Sequence, residues 1–380
     1  MPDRIYLDYN ASTPVAPRVA AVMRPLIADA FGNPSSPHWA GSPAKAALEH
    51  ARGQVADLLG CAVDEVVFTS GGSEANNMAL KGVFFALRER GDHIVTTAVE
   101  HPAVLAPLRF LETLGAKLTI LPVDSTGRVD SAAVEQAITP RTILVSVMHA
   151  NNEVGTVQPI EEISRITRAR GVLLHTDAAQ SVGKIPTRVA ELGVDLLTVA
   201  GHKIYAPKGV GALYVRRGVD LEPLVHGAGH EWGRRAGTES ALLAAGFGEA
   251  CVLARDLSAM DAVRGLRDRF WTALRERFGD RVVLNGHPEH RLPNTLNVSF
   301  VGWIGADLLT RLNGVAASTG SACHAGSTKL SAVLEAMGIA PDVGKGAVRF
   351  SLGRATAPEE IDQTMQRLTM AIDGSSASEH

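Results

Sequence analysis

Two side chains with reactive groups, a lysine amine and a cysteine thiol, lie far apart in the sequence. Lys203 closely follows an apolar run at residues 196–200, where a lysine can be desolvated enough to act as an amine nucleophile. Cys323 lies in a stretch of small residues between Gly320 and Gly326, and glycine gives such a stretch backbone freedom. The amine could hold a carbonyl cofactor and the thiol could receive a transferred group. Taken singly, a surface lysine and an inert loop cysteine are the ordinary explanations.

Further polar residues follow other predicted strands. A glycine turn with Gly72 and Ser73 comes after the apolar residues 66–68 and opens a helix. Free N–H groups and the Ser73 hydroxyl would form a phosphate cradle there, although glycine turns are also common helix caps. Asp177 follows the strand at residues 172–175, where a carboxylate is costly to bury without a cationic partner. A protonated pyridine nitrogen would be such a partner, and a helix N-cap is the alternative.

Five more polar residues could complete one site. Gln180 could donate to a ring oxygen, and His101 could stack on a flat ring and move protons, or serve only as a structural hydrogen-bonder. His202 could contact phosphate, Asn152 lies in what is otherwise a turn, and Thr238 could cap a helix or reach a phosphate. Together with the lysine, these groups are the chemical requirements of pyridoxal phosphate, an electron sink once its aldehyde is condensed with an amine.

The strands that position these residues are short and apolar, and helical patterns separate the earlier ones. The predicted strands cover residues 66–68, 94–97, 118–121, 143–148, 172–175, 196–200 and 211–215. Continuous apolar strands between helices indicate an α/β architecture, a mostly parallel sheet covered on both faces. A long helix is predicted at about 240–257. Beyond it, strands and helices mix without regular alternation, which indicates a smaller α+β domain.

The composition excludes several classes of function. A formal net charge of −3 over 380 residues gives no reason to expect nucleic acid or an anionic membrane as an electrostatic partner. Three cysteines, Cys61, Cys251 and Cys323, are too few and scattered for a disulfide framework, and none forms a Cys-x-x-Cys zinc pair. The first residues lack the apolar core of a signal peptide, and no run is long enough to span a bilayer. We therefore expect a reduced, cytoplasmic protein.

The chain resembles the cysteine desulfurases of the NifS/IscS type, in the fold-type I, class V group of pyridoxal-phosphate-dependent aminotransferases. The resemblance covers nearly the whole chain through ordered motifs. They are LDYNASTP at 7–14, GNPSS at 32–36, TSGGSE at 69–74, EH at 100–101, NNEVG at 151–155, HTDAAQ at 175–180, GHK at 201–203, RAGT at 235–238, GSAC at 320–323 and RFSLGR at 349–354. It implies a fold-type I transferase in which residues 15–257 form a large domain around a seven-stranded, mostly parallel sheet. Residues 1–14 and 258–380 would form the smaller domain, with the cysteine-bearing loop at about 318–330.

The resemblance also implies roles for the candidate residues. Lys203 would bind the cofactor aldehyde as a Schiff base, with His101 stacked on the ring and assisting proton transfer. Asp177 would pair with the pyridine nitrogen, while Gln180 and Asn152 would contact the ring hydroxyl side. The remaining residues would hold the phosphate (Gly72, Ser73, His202 and Thr238 of the partner subunit of a homodimer) and the substrate carboxylate (Asn33 and Arg349).

The implied reaction removes sulfur from L-cysteine and gives L-alanine and a persulfide on Cys323. The persulfide sulfur would pass to a sulfur-acceptor protein that serves iron–sulfur cluster assembly or nucleic-acid thio-modification. Cys323, Lys203 and His101 would be the catalytic residues. No resident metal is implied, although Cys323 is a candidate transient ligand of an iron–sulfur cluster, and we expect no direct binding of nucleic acid or membrane.

Ala200 departs from the family pattern, which usually has a phosphate-binding serine at this position. Loss of that donor would weaken cofactor retention by about 1 kcal/mol. Selenocysteine lyases also tend to lack this serine and have a similar Ala-Cys-His context, so a selenocysteine lyase is the main alternative. Two others are a pyridoxal-phosphate β-lyase or transaminase that uses Cys323 only incidentally, and a non-catalytic sulfur-relay protein that keeps the fold.

Overall fold

This computed structural model describes residues 4–320 and 330–374. Two of its β-sheets, one large and one small, position the site. In chain order the strands are β1 (Ile5–Tyr6), β2 (Val66–Thr69), β3 (His93–Thr97), β4 (Lys117–Leu121), β5 (Thr142–Ser146), β6 (Leu173–Asp177), β7 (Leu196–Ala200), β8 (Gly211–Val215), β9 (Val282–Asn285), β10 (Thr295–Phe300), β11 (Val315–Ala316) and β12 (Ala347–Ser351). The predicted α/β fold is confirmed, because β2 to β8 form one seven-stranded sheet.

The direction of the strands brings the polar segments together. The order in the large sheet is β2-β8-β7-β6-β5-β3-β4, and β8 is antiparallel to both of its neighbours. All other neighbouring pairs in this sheet are parallel. Since β2 and β7 both oppose β8, β2 runs in the same direction as the parallel strands. The carboxyl ends of β2, β3, β5, β6 and β7 therefore open at one edge, where open α/β sheets bind ligands.

Helices cover both faces of the large sheet and one face of the smaller one. They are α1 (Pro17–Asp29), α2 (Ser42–Leu59), α3 (Gly72–Leu87), α4 (Pro102–Glu112), α5 (Ser131–Ala137), α6 (Ile160–Ala169), α7 (Val189–Leu192), α8 (Ala241–Arg255), α9 (Ser258–Phe278), α10 (Gly305–Arg311), α11 (Ala332–Ala336), α12 (Pro341–Gly344) and α13 (Pro358–Asp373).

Local sequence explains where two site-forming helices begin. Gly71 takes φ 145°, a conformation that favours glycine, and the chain turns there from β2 directly into α3. His101 has extended backbone angles and caps α4, and Pro102 occupies the first turn, where its missing N–H costs no helical hydrogen bond. Both turns place the residues before and at the helix start on the sheet edge.

The core of the large sheet is apolar on both faces. Every residue of β5, β7 and β8 is buried. One face packs with α2, α6 and α8 in a cluster that includes Val55, Ile163 and Phe247, and the other packs with α3 and α4 around Leu80 and Leu108. Burial on both sides explains the continuous apolar strands in the sequence.

The smaller sheet is antiparallel, in the order β12-β10-β9, and packs against α9 and α13. Phe270 of α9 and Phe350 of β12 meet edge to face, with ring centroids 5.0 Å apart. Ile5 and Leu7 belong to the same apolar cluster, and β1 pairs in parallel with β11. The start of the chain thus packs with its last third, while the boundaries at residues 15 and 257 stay a prediction.

The sequence pattern predicts neither α1 nor α2. The buried positions of α2 include three alanines and Arg52, which give weak contrast with the polar face, and the helix is stabilised by packing on α8. Pro25 interrupts the pattern in α1. Among residues 4–320 and 330–374, no helix combines the length and apolarity needed to traverse a bilayer.

Candidate active site

A cavity of about 340 Å³ lies where the carboxyl ends of the large sheet meet the small domain, a volume typical of small-molecule sites. Nine residues predicted from the sequence line it: Gly72, Ser73, His101, Asn152, Asp177, Gln180, His202, Lys203 and Arg349. Other lining residues include Asn10, Asn76, Ala200, Ser318 and Gly320. The structure therefore brings these side chains together, and the role of each stays a prediction.

Lys203 lies partly buried just after β7. Its Nζ donates to the backbone carbonyls of Asn10 at 2.6 Å and Ala11 at 2.9 Å. Burial, and next the positive charge of Arg349, lower the pKa of Lys203 to about 8. More of this lysine is the free amine at neutral pH than in an exposed lysine, which favours attack on an aldehyde.

Asp177 is the last residue of β6 and is buried. One carboxylate oxygen accepts from Asn76 Nδ2 at 2.7 Å and the other from the N–H of Ala179 at 2.9 Å. No lysine or arginine nitrogen among the described residues lies within 4.0 Å of this carboxylate. A carboxylate held only by neutral donors in a cavity is suited to pair with a cationic group of a ligand.

His101 faces the cavity from the end of β3. Its Nδ1 accepts from the N–H of Ala103 at 3.0 Å, so the neutral ring carries its proton on Nε2. Burial lowers the pKa of His101. The charge of Asp177 raises this pKa by a smaller amount, and the charge of Lys203 lowers it. The neutral imidazole is therefore the form present at physiological pH, and it can stack on a ring without adding charge.

Glu100 fixes the backbone that carries His101. Its Oε1 accepts from Thr97 Oγ1 and from the N–H of Met148, both at 2.8 Å, which joins the segments after β3 and β5. Burial raises the pKa of Glu100 to about 8, so this carboxyl is largely protonated at pH 7. Of the two residues in the EH motif, His101 therefore lines the cavity and Glu100 supports the backbone behind it.

The start of α3 has the chemistry to bind an anion. Gly72 and Ser73 occupy the first turn, where backbone N–H groups have no helical partner and the helix dipole favours negative charge. A Cβ built on Gly72 would lie 3.3 Å from the Cβ of Ala200, so a side chain at position 72 would crowd Ala200. Burial, followed by the charge of Lys203, lowers the pKa of His202 to about 4. Without a bound anion, His202 is therefore neutral at physiological pH.

Arg349 of β12 enters the cavity from the small domain. Its Nη2 donates to Asp8 Oδ1 at 2.7 Å and its Nη1 to the carbonyl of Asn152 at 2.8 Å, while its Nε is buried without a partner. The guanidinium is thus oriented before any ligand is present. A carboxylate in the cavity would meet a fixed cation.

Gln180 is buried, and its Nε2 donates to the backbone carbonyl of Asn10 at 3.0 Å. Lys203 donates to the same oxygen. The Gln180 amide nitrogen and the Lys203 amine therefore lie at the same end of the cavity. These two donors are thus available for the hydroxyl side of the cofactor ring, which is the side predicted for Gln180 from the sequence.

Two predicted residues do not line this cavity. Asn33 lies between α1 and α2, where its Oδ1 accepts from the N–H of Ser35 at 2.9 Å. Thr238 lines a separate cavity of about 200 Å³ together with Glu231 and Arg235. Cys323 lies outside the described residues. The predicted roles of all three residues stay predictions.

Sequence reasoning missed three residues that shape the site. Asn76 holds Asp177, Asp8 holds Arg349, and Asn10 contacts both Lys203 and Gln180. Asn76 carried a signal, because asparagine is unfavourable inside a helix and this one lies in the second turn of α3. Asp8 and Asn10 lie in the LDYNASTP motif, but the neighbouring sequence does not indicate which residues this motif contacts.

The donors and acceptors of the cavity fit pyridoxal phosphate. The first turn of α3 suits the phosphate, the buried carboxylate of Asp177 suits a protonated ring nitrogen, and Lys203 offers an amine with a lowered pKa.

Comparison with known sequences identifies the family of this chain. The family model described as aminotransferase class-V matches residues 5–364. A protein of Dictyoglomus turgidum named cysteine desulfurase IscS is 46% identical over 379 residues, which cover 98% of this chain and 95% of that protein.

Comparison with solved structures points the same way. A structure titled NifS-like protein superposes with a TM-score of 0.92 at 37% identity, covering 98% of this chain and all of its own. A structure titled SspA in complex with cysteine has a TM-score of 0.84 at 37% identity, covering 93% of this chain and 100% of its own.

Proposed function

This chain belongs to the aminotransferase class-V family, and we propose how the residues of its cavity remove sulfur from L-cysteine. The chain is a pyridoxal-phosphate-dependent cysteine desulfurase, which the full-length similarity to cysteine desulfurases supports. The observation that carries the assignment of roles is the meeting of Lys203 with Asp177 and Arg349 in one cavity. A cofactor-binding amine, an unpaired buried carboxylate and a substrate-orienting cation are then within reach of one small ligand.

The sheet edge would hold the cofactor. Lys203 Nζ binds its aldehyde, Asp177 accepts from its ring nitrogen, and the first turn of α3 binds its phosphate. When bound, pyridoxal phosphate supplies an electron sink for the charge left at the substrate α-carbon. His101 would stack on the ring, and its neutral imidazole carries its proton on Nε2 because Nδ1 accepts from Ala103.

Lys203 would also move the substrate proton. With a pKa of about 8, a sizeable share of Nζ is free amine at neutral pH, and the free amine can take the α-proton of L-cysteine. Arg349 would hold the substrate carboxylate through its guanidinium, because Asp8 and Asn152 already fix that group's orientation.

Cys323 would receive the sulfur. Its thiolate attacks the sulfur of the bound substrate, an S–S bond forms to Cys323, and the substrate C–S bond breaks. The β-carbon keeps the electron pair of that bond and gains a proton, and the α-carbon regains the proton that Lys203 took, which leaves L-alanine. No external oxidant is needed, because the sulfur of the persulfide is oxidised as the β-carbon is reduced.

Both described ends of the segment that carries Cys323 support this role. Gly320 lines the cavity, and a Cβ built on it would lie 3.1 Å from Glu153 Oε2. Ser331 donates its hydroxyl to the same carboxylate oxygen. The chain therefore leaves the described part of the structure at the cavity wall and returns beside the same buried glutamate.

A single substitution tests the sulfur step. Cys323→Ser should bind the cofactor with an unchanged absorption spectrum and form no persulfide, measured as the absence of one added sulfur atom by mass spectrometry. Cys61→Ser is the matched control, since burial raises the pKa of Cys61 to about 12 and leaves it poorly ionised. Persulfide formation on the Cys323→Ser protein would overturn the assignment.

Selenocysteine lyase is a second candidate activity, favoured by Ala200 beside the phosphate turn. In that reaction selenium leaves without an obligatory enzyme persulfide. Turnover of L-cysteine that depends on Cys323, with alanine as product, supports the desulfurase. Turnover of selenocysteine alone, unaffected by Cys323→Ser, would support the lyase instead.

A homodimer is proposed because Thr238 lies away from its own cavity, so that it would complete the phosphate site as Thr238 of the partner subunit. Large aromatic side chains stay exposed in this protomer: Phe31 at 72%, Trp39 at 80% and Trp232 at 53%. Such exposed apolar groups mark interaction surfaces. Mixing Lys203→Ala with Thr238→Ala subunits should give heterodimers in which one site carries both substitutions and the other carries neither. The heterodimer should therefore recover activity that each variant alone lacks. No recovery, with a monomer in sedimentation, would oppose the proposal.

The persulfide sulfur would go to an acceptor protein in the cytoplasm, for iron–sulfur assembly or nucleic-acid thio-modification. A reducing compartment suits the chemistry, because the thiolate must regenerate after each transfer. Trapping a mixed disulfide with Cys323 and identifying the partner by mass spectrometry tests this. A partner outside both pathways would contradict it.

A further inference from the structure

Lys184 is a buried lysine that the reaction above does not use. It lies beyond the end of β6, seven residues after Asp177, and burial lowers its pKa well below the ordinary value. No aspartate or glutamate among the described residues lies within 4.0 Å of its Nζ. A buried lysine without a carboxylate partner is costly, so its neighbours deserve a functional explanation.

The contacts of Lys184 lead to the cavity. Its Nζ donates to Gln180 Oε1 at 2.8 Å and to Asn10 Oδ1 at 3.3 Å. Asn10 Oδ1 has a second donor, Asn294 Nδ2 at 3.0 Å. Among the described residues, Lys184 is the one that donates a hydrogen bond to Gln180 Oε1.

These contacts fix which end of the Gln180 amide faces the cavity. The carbonyl of Asn10 can only accept, so the nitrogen of Gln180 must be the atom that lies 3.0 Å from it. Lys184 donates to the other end whether its amine is charged or neutral. Turning the amide over would break both hydrogen bonds, because it would place two oxygens in contact at one end and two nitrogens at the other.

We propose that Lys184 is a positioning residue that holds the Gln180 amide nitrogen toward the cofactor ring oxygen, an inference that rests on the proposed role of Gln180. The nitrogen has a second hydrogen free for the cavity, at the end where Lys203 also lies. A fixed donor there stabilises the ionised ring oxygen over the protonated one. Lys184 thus sets the charge state of the bound cofactor without touching it.

The test is a double-mutant cycle on the holoenzyme and on apoprotein reconstituted with pyridoxal phosphate. Lys184→Met and Gln180→Ala should each weaken cofactor binding about fivefold, the effect of one hydrogen bond, and raise the shorter-wavelength band of the neutral cofactor form. The double variant should match Gln180→Ala, because the lysine acts through the glutamine. Lys117→Met, which removes an exposed lysine at the first residue of β4, should change neither quantity.

The outcomes separate the two claims. If Gln180→Ala leaves the spectrum and affinity unchanged, the role of Gln180 is wrong and the inference fails with it. Only the positioning role is overturned if Gln180→Ala has its effect while Lys184→Met behaves like Lys117→Met. The same holds if the effects of Lys184→Met and Gln180→Ala add fully in the double variant. Lys184→Gln, whose amide ends one bond short of the lysine nitrogen, is the second variant should Lys184→Met fail to fold. It should shift the band in the same direction, and an unchanged band would again overturn the role.

Discussion

The two walls of the cavity are built in different ways. The sheet wall consists of residues at the carboxyl ends of the large sheet, such as Gly72, Asp177 and Lys203, each next to a buried strand. The small-domain wall consists of Ser318, Gly320 and Arg349, and Arg349 is oriented by Asp8 across 341 residues of sequence. In the proposed function, the sheet wall would hold the cofactor and the small-domain wall would hold the substrate carboxylate.

Because the two walls are built from different segments, we expect cofactor binding and substrate binding to be separable. The walls are connected by the electrostatic effect of Arg349 on Lys203. Arg349 is the second largest cause of the lowered pKa of Lys203, after burial. A change in the sheet wall should therefore affect the cofactor first. A change in the small-domain wall should affect the substrate first and the cofactor only through charge.

The largest effect is expected from the sheet wall. Lys203→Ala removes both the aldehyde-binding amine and the base, and activity should fall by about 10³-fold or more. The absorption of the bound cofactor should revert to that of the free aldehyde. Steady-state alanine formation and the absorption spectrum measure this, and a variant with near wild-type activity would mean that another residue performs both tasks.

Arg349→Lys tests the other wall while keeping its charge. The KM for L-cysteine should rise about tenfold to a hundredfold, because a charge-assisted fork is lost. Cofactor affinity and spectrum should stay as in the unchanged protein. A variant that lost its cofactor while binding cysteine normally would show that the two walls are not divided in this way.

The pH dependence of reconstitution probes the connection between the walls. Lys203 attacks the aldehyde as the free amine, so the rate should rise about tenfold per pH unit below its pKa of about 8 and level off above it. In Arg349→Gln a neighbouring positive charge is lost, so the protonated lysine becomes more favourable and the bend should move to higher pH. Stopped-flow absorbance measures both curves, and an unmoved bend would remove Arg349 from the account.

Ala200→Ser should produce the smallest effect. The added hydroxyl would face the first turn of α3 beside Gly72 and supply one more phosphate donor. The affinity for pyridoxal phosphate should rise about fivefold, with little change in kcat. Equilibrium titration of the apoprotein measures this. A weaker affinity would show that the turn is too crowded for the hydroxyl.

The sequence predicted the sheet wall well because its information is local. Apolar strands reveal the sheet, and the polar residue that follows each strand must lie at the shared edge, as Asp177 and Lys203 do. The phosphate turn at Gly72 is predictable for the same reason. Helices α1 and α2 were not, because their stability comes from packing on α8 rather than from their own periodicity.

The chain by itself determined the fold class, the cofactor and the chemical type of most site residues. Tertiary structure alone decided that Asp8 orients Arg349, that Asn10 joins Lys203 to Gln180, and that Lys184 is buried against an amide rather than paired with a carboxylate. The physical reason is that periodicity and turn chemistry act over a few residues. Burial, charge pairing and hydrogen-bond partners depend on which distant segments the packing of the two sheets brings into contact.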